Sequence, residues 1–176
     1  RCFIEQPALA GSVQPPAVLA SMDEHYAATT GTSAVPYGGC ALALTQLKAA
    51  GLRLVCVTNK EHRHAVRVLQ VTGLAGYFEL VIGGDTLPEK KPHASVLRHV
   101  AQRIGVSTNR TAHVGASATD VNAARNAGVA AWAVPYGYNA GVPIEQSQPD
   151  RVFHSLGQIA DHVLAERGPT LTRATS

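Results

Sequence analysis

Helical and strand-like patterns alternate along the chain from Gly39 onward. The segment CALALTQLKAAG, residues 40–51, has the periodicity of a helix with Leu42, Leu44 and Leu47 facing inward. Gly51 follows it at the position where a left-handed residue commonly ends a helix. The near-continuous apolar run LRLVCVT, residues 52–58, is typical of a strand buried on both faces of a parallel sheet. These two segments together predict a helix that leads into a buried strand.

The same alternation continues to about Glu166. It predicts helices over residues 61–71, 92–104, 120–127 and 155–166, and strands over residues 78–84, 111–115 and 130–134. Strands that are joined through helices form a parallel sheet with right-handed crossovers. The sequence therefore predicts an α/β fold, a Rossmann-like parallel sheet layered between helices, whose functional groups lie at the carboxyl ends of the strands.

Three parts of the chain differ in character. Residues 36–167 carry the α/β pattern and form the predicted core domain. Residues 1–35 contain one predicted helix within 17–30, with Val18, Leu19, Met22 and Tyr26 on one face, and look like the remnant of another element. Residues 168–176 form a polar tail that we expect to be disordered.

Composition narrows the classes of partner. With 176 residues, 45% of them hydrophobic, the chain is long enough to bury one core. The net charge is only +3 and the basic residues are scattered, which argues against a nucleic-acid partner. No apolar run approaches the roughly 20 residues that cross a bilayer, so no membrane partner is expected. Cys2, Cys40 and Cys56 form no C-x-x-C pair and are odd in number, which favours free thiols and a cytoplasmic location.

Two polar residues stand where the first clear strand ends. Thr58 and Asn59 would project a hydroxyl and a carboxamide toward the crevice, where they could hold phosphate oxygens together with the backbone amides of the turn. Alternatively they cap the helix that starts near Glu61, because Thr and Asn are preferred partners for the free amides at a helix start. The residues by themselves leave both roles open.

The segment GGDTLPEKKPHAS, residues 83–95, is the most informative in the chain. Its two glycines and Lys-Lys-Pro sequence connect a strand to a helix, which places Lys91 at the mouth of the sheet. An ammonium group there can neutralise both a carboxylate nucleophile and a phosphoryl group, which otherwise repel each other. The alternative is that Lys90 and Lys91 are two solvated loop charges.

The segment HVGASATDVNAARNAG, residues 113–128, follows the next strand. Asp120 lies near the start of its helix, where a carboxylate favours the helix dipole or caps free amides. Asp120 could also serve a magnesium ion, since Mg²⁺ prefers carboxylate oxygens. His113 lies inside an apolar strand, which favours a packed, hydrogen-bonded imidazole over a metal ligand.

In their order and spacing, the segments VTNK, GGDTLPEKKPH, HVGASATD and VPYGYN resemble the second to fourth motifs of phosphoglycolate phosphatases in the haloacid dehalogenase superfamily. The resemblance covers about residues 37–155. It implies a magnesium-dependent hydrolysis of a small phosphorylated metabolite, 2-phosphoglycolate. By this resemblance Thr58 binds the transferring phosphoryl group, Asn59 assists, Lys91 is the lysine of the third motif, and Asp120 is the distal acid that supports magnesium. Residues 1–35 would then be the remnant of a helical cap.

The chain departs from the family in two ways. The family begins with an apolar strand that ends in D-x-D-G-T, whose first Asp attacks phosphorus, whereas the only aspartate ahead of Pro36 is Asp23, in a helical pattern. Ala116 stands where the family has a magnesium-binding Asp, and a methyl group cannot coordinate a hard cation. We therefore expect an N-terminally truncated, inactive relative with impaired magnesium binding. The alternative is a non-catalytic module that binds a phosphorylated ligand or a protein.

This resemblance also places the missing strand in the sheet. It would be the central strand, flanked by the strand that ends at Thr58 and the strand that ends at Gly115. Its absence should either leave a gap between those two strands or force them to pair directly with each other.

Overall fold

The structure is a computed structural model that describes residues 34–167. The predicted helix within residues 17–30, the rest of the predicted cap remnant up to residue 33 and the predicted tail at 168–176 lie outside the described residues. No helix in the described part of the chain is long and apolar enough to cross a membrane.

Helices and strands alternate in the predicted order. The helices are α1 (Cys40–Ala49), α2 (His62–Val71), α3 (Ala94–Arg103), α4 (Ala118–Ala127) and α5 (Leu156–Arg167). The strands are β1 (Val55–Val57), β2 (Leu80–Ile82), β3 (Ala112–Gly115), β4 (Ala130–Ala133) and β5 (Arg151–Val152). Each predicted strand is present but shorter than its apolar run. The two-residue strand β5 was not predicted, because so short a pairing leaves no periodicity in the sequence.

The strands form two parallel groups. β1 pairs with β2, and β3, β4 and β5 pair in that order. Side chains at residues 54–57 alternate between two helical layers: Leu54, just ahead of β1, packs with α1 and α5, whereas Val55 and Val57 pack with α3. The predicted α/β fold, a parallel sheet between helices, is confirmed.

A gap separates the two groups of strands. Within residues 34–167 no backbone hydrogen bond joins β1 to β3. A cleft of about 70 Å³ lies between them, lined by Val55 and Val57 on one side, by Ala112 and His113 on the other, and by residues of α3. Of the two expected arrangements, a gap or direct pairing, the described residues adopt the gap.

The backbone groups that face this gap follow from the strand pairing. Thr58 N–H donates to the carbonyl of Ile82, so the backbone of Thr58 faces β2. Because successive residues of a parallel strand direct their backbone groups to opposite sides, the backbone groups of Val55 and Val57 face the gap. On the other side the Gly115 carbonyl accepts from Val134 N–H, so the backbone of Gly115 faces β4. By the same alternation the backbone groups of Ala112 and Val114 face the gap. The gap is therefore bordered by two parallel strand edges.

Two expectations about burial are wrong. The strand at residues 52–58 was expected to be buried on both faces, but β1 is only half-buried, because no described strand covers its gap edge. For the same reason the Val114 side chain in β3 is 37% exposed. Leu42 was expected to face inward but is 65% exposed, because α1 packs through Ala43 and Leu47, one turn apart on a different face.

Close contact between two loops explains the paired glycines after β2. A Cβ atom on Gly84 would lie 2.3 Å from the backbone oxygen of Asn59. Gly84 N–H also donates to the carbonyl of Lys60 at 2.8 Å. The loop that carries Lys91 can therefore lie directly on the turn after β1 only if position 84 has no side chain.

Gly84→Ala is expected to destabilise the protein by roughly 1–3 kcal/mol, because the clashing atom belongs to the backbone and both loops must move. Urea unfolding measures this effect. Gly76→Ala is a matched control, since a Cβ there meets no atom within 4 Å. Equal stability of the two variants would contradict the tight contact.

Candidate active site at the strand ends

Lys91 lies at the carboxyl ends of β1 and β3 and connects the two groups of strands. Its ammonium donates to the carbonyl of Val57 at 2.9 Å and to Oδ1 of Asp120 at 2.6 Å. The Lys91 side chain is only 8% exposed. The alternative of a solvated loop charge is therefore wrong for Lys91, because the ammonium is held between a strand carbonyl and a carboxylate.

Asp120 accepts hydrogen bonds at both carboxylate oxygens. Oδ1 contacts Lys91 Nζ and lies 3.3 Å from Nε2 of His113. Oδ2 accepts from the Ser117 hydroxyl at 2.7 Å and from the backbone amides of Ala116 and Ser117 at 3.2 Å each. Ser117 is the N-cap of α4 and forms a capping box with Asp120. The first-turn role of Asp120 is thus present in the structure, together with its ion pair to Lys91.

These contacts decide the charge of Asp120. Burial by itself would raise the pKa of its carboxyl group, but the hydrogen bond from His113, the charge and hydrogen bond of Lys91 and the Ser117 hydroxyl outweigh burial. The pKa therefore lies well below its usual range, and Asp120 is a carboxylate at neutral pH. Lys91 and Asp120 form a compact, largely buried ion pair at the strand ends.

Gly115 allows Asp120 to approach β3 this closely. A Cβ atom at position 115 would lie 2.1 Å from the Cβ of Asp120. A side chain there would push the carboxylate away from Lys91 and His113. The glycine at the end of β3 is therefore part of the geometry that brings Asp120 into the site.

Thr58 and Asn59 do not cap α2. The N-cap residue is Glu61, without a side-chain cap, and the first free amide, His62 N–H, donates to Oδ1 of Asp85 at 2.7 Å. This hydrogen bond lowers the pKa of Asp85. Thr58 Oγ1 accepts from Lys60 N–H at 3.1 Å within its own turn. The capping alternative is wrong, because a carboxylate from the neighbouring loop takes that role.

Asn59 instead contacts the backbone of Lys91. Its Oδ1 accepts from Lys91 N–H at 3.0 Å and its Nδ2 donates to the Lys91 carbonyl at 2.8 Å. The structure thus brings the four predicted site residues, Thr58, Asn59, Lys91 and Asp120, to one edge of the sheet. Their roles toward a phosphoryl group or a metal ion stay predictions.

Sequence reasoning assigned three contributors no place in the site: His113, Ser117 and Asp85. Ser117 had a recognisable signal, since S-x-x-D ahead of a helix is a variant of the capping-box pattern. His113 was correctly interpreted as a packed, hydrogen-bonded imidazole, but nothing in the strand pattern indicated that its partner is Asp120. Asp85 reaches α2 from 23 residues away, a distance that no local pattern encodes.

The described residues do not fit a magnesium ion by themselves. Mg²⁺ requires octahedral oxygen ligands, several of which are usually water. No group of three or more His, Cys, Asp or Glu within the described residues could hold a metal ion. Both oxygens of Asp120 are already engaged, and Ala116 offers a methyl group packed against Gly137.

Comparisons with known proteins bear on the family of this chain. Residues 6–128 match the family model for haloacid dehalogenase-like hydrolases. The chain belongs to the haloacid dehalogenase superfamily. The similarity extends to named phosphoglycolate phosphatases, as the recognised motifs predicted, so that part of the resemblance is confirmed.

Two curated relatives carry that name. The phosphoglycolate phosphatase of Thiobacillus denitrificans is 39% identical over 142 residues, which cover 81% of this chain and 63% of the relative. That of Nitrosococcus oceani is 44% identical over 134 residues, which cover 76% of this chain and 60% of the relative. This member of the superfamily thus matches less than two thirds of the length of either relative.

A solved structure agrees with this assignment. The crystal structure of a predicted phosphoglycolate phosphatase from Haemophilus somnus aligns with a TM-score of 0.79 and 32% identity. The alignment covers 82% of this haloacid dehalogenase-like chain and 64% of the solved one. The shared architecture extends over most of the described α/β core.

Proposed function

We propose that this chain carries the phosphoryl-binding side of a phosphoglycolate phosphatase active site. The observation that supports this most is the position of the Lys91 ammonium, held between Val57 and Asp120 at the mouth of the gap. The proposed ligand is a small phosphorylated metabolite, with 2-phosphoglycolate as the first candidate from the named relatives. We also propose a reducing, cytoplasmic setting, which rests on the odd number of cysteines.

Each proposed role follows from the chemistry of the side chain. Lys91 would neutralise the charge of the phosphoryl oxygens, and Thr58 would donate its hydroxyl proton to one of them. Asn59 would assist at the same strand end. Asp120 would hold Lys91 in place, and by the resemblance to the family it would also support a magnesium ion where further ligands are available.

We further propose that the 176-residue chain binds a phosphorylated ligand without turning it over. Phosphate monoesters are among the slowest substrates to hydrolyse without a catalyst, and the family's route depends on attack by an aspartate. The printed sequence has no D-x-D-G-T segment. A binding function without catalysis is consistent with a site whose lysine is already ordered by protein contacts.

Titration calorimetry with inorganic phosphate and with 2-phosphoglycolate tests this proposal on the 176-residue chain. Saturable binding that Lys91→Ala abolishes, with no phosphate released, supports it. No binding to a chain that melts cooperatively would overturn it. Lys90→Ala is the matched control, because Lys90 is the exposed neighbour in the same loop and should leave the affinity unchanged.

Ala116→Asp is expected to increase the affinity of the chain for Mg²⁺, because it adds a carboxylate about four residues from Asp120 at the same strand end. Calorimetry with MgCl₂ measures the change. Ala118→Asp in the first turn of α4 is a control for added charge, and an equal gain in both variants would contradict a specific role for position 116.

A further inference from the structure

Both the main chain and the ammonium group of Lys91 are hydrogen-bonded to residues at the carboxyl end of β1. Its main chain pairs with the Asn59 carboxamide through the bonds of 3.0 and 2.8 Å, and its ammonium donates to the carbonyl of Val57. Asn59 and Val57 flank Thr58. The Lys91 backbone is therefore fixed at the residue after Thr58, and its charge is fixed at the residue before Thr58.

The loop that carries Lys91 has other attachments besides Asn59. Asp85 accepts from His62 N–H, and Gly84 N–H donates to the carbonyl of Lys60. On the far side of Lys91, Asn126 Nδ2 donates to the carbonyl of Pro92 at 2.9 Å. Loss of the Asn59 carboxamide should therefore leave the loop attached and release only the Lys91 backbone.

We propose that Asn59 is a positioning residue that acts through Lys91: its carboxamide fixes the Lys91 main chain so that the ammonium sits between β1 and Asp120. This inference rests on the proposed function, in which Lys91 binds the phosphoryl group. It assigns Asn59 no contact with the ligand. A carboxamide suits this position, because one planar group supplies both the acceptor for the N–H and the donor for the carbonyl of a single residue.

Chemical labelling tests the position of Lys91 without any ligand. In the native chain the buried Lys91 should react slowly with an acylating reagent such as acetic anhydride, as followed site by site with mass spectrometry. Asn59→Ala should raise the Lys91 rate on the order of tenfold, the effect of losing two hydrogen bonds, while the exposed Lys90 is unchanged. Asn59→Ser keeps a polar group that is too short to make both bonds and should behave like Asn59→Ala.

Asn139→Ala is the matched control for a general loss of stability. Asn139 also makes two backbone hydrogen bonds, from Ala118 N–H at 3.0 Å and to the carbonyl of Val142 at 2.7 Å, in the loop between β4 and β5. It should lower the melting temperature without changing the Lys91 rate. Equal Lys91 rates in the Asn59 and Asn139 variants, each shown to be folded by circular dichroism, would overturn the inference.

Phosphate titration separates this inference from the proposed function. Asn59→Ala should weaken the binding of inorganic phosphate on the order of tenfold, in parallel with the labelling rate. If the unmodified chain binds no phosphate, the proposed function fails, while the labelling rates still decide whether Asn59 positions Lys91. If phosphate affinity falls but the labelling rate does not change, Asn59 contacts the ligand directly and the positioning role is wrong.

Discussion

Release of phosphate from 2-phosphoglycolate should stay at the uncatalysed background for the 176-residue chain. It should rise by at least about 10⁶-fold when an apolar strand that ends in D-x-D-G-T is fused ahead of the chain and Ala116 is replaced by Asp. The fused strand supplies the aspartate that attacks phosphorus, next to the Lys91 ammonium. The gap between β1 and β3 is bordered by two parallel edges and has apolar walls, so it suits an extended apolar segment. A phosphate-release assay with Mg²⁺ present measures the rates.

The control for this experiment is the same fusion with N-x-N-G-T. It fills the gap with nearly the same atoms but offers no carboxylate, so it should be as stable as the active fusion and show no turnover. A folded D-x-D-G-T fusion that hydrolyses no small phosphomonoester would contradict the assignment to this reaction. Hydrolysis by the unmodified chain that Lys91→Ala abolishes would contradict the inactive state.

Lys91→Met should lower the free energy of unfolding by about 3–5 kcal/mol, because it leaves the largely buried Asp120 carboxylate and the Val57 carbonyl without the ammonium. Urea unfolding measures the loss. The double variant Lys91→Met/Asp120→Asn should lose less free energy of unfolding than the two single variants lose together, since the second change removes the uncompensated charge. Additive losses would contradict a direct ion pair.

The same ion pair predicts how stability depends on pH. The pKa of Asp120 in the folded protein lies below its unfolded value, about 3.8, because Lys91, His113 and Ser117 stabilise the carboxylate. The unfolded chain therefore takes up this proton first, and the stabilisation from Asp120 is complete only above about pH 5 and declines as the pH falls further. Asp120→Asn should make the decrease in the free energy of unfolding between pH 4 and 2 less steep. The exposed Asp161→Asn should keep the slope of the unmodified chain.

Local sequence patterns predicted the helices and strands correctly, but they did not predict which of their residues and strand edges are exposed. Helix α1 ends before Gly51, whose φ of 77° is the left-handed conformation predicted for it, because this preference belongs to the residue itself. Leu42 has the same apolar character as Leu47 but faces solvent, because burial depends on where α5 packs. The edges of β1 and β3 are likewise exposed by the absence of a described neighbour, which their own apolar residues do not encode.

The sequence by itself determined the order of helices and strands, the parallel α/β fold and the family, because periodicity, turn residues and motif order are local properties of the chain. It also brought Thr58, Asn59, Lys91 and Asp120 to one edge, since the carboxyl ends of parallel strands meet there. Only the tertiary structure decided which hydrogen bonds and ion pairs these residues form with one another. Asn59 hydrogen-bonds the main chain of Lys91, 32 residues away, and Lys91 forms an ion pair with Asp120, 29 residues further along. Such contacts depend on how the loops pack, so the sequence left open whether Lys91 is a site residue or a solvated loop charge, and the fold shows that it is buried.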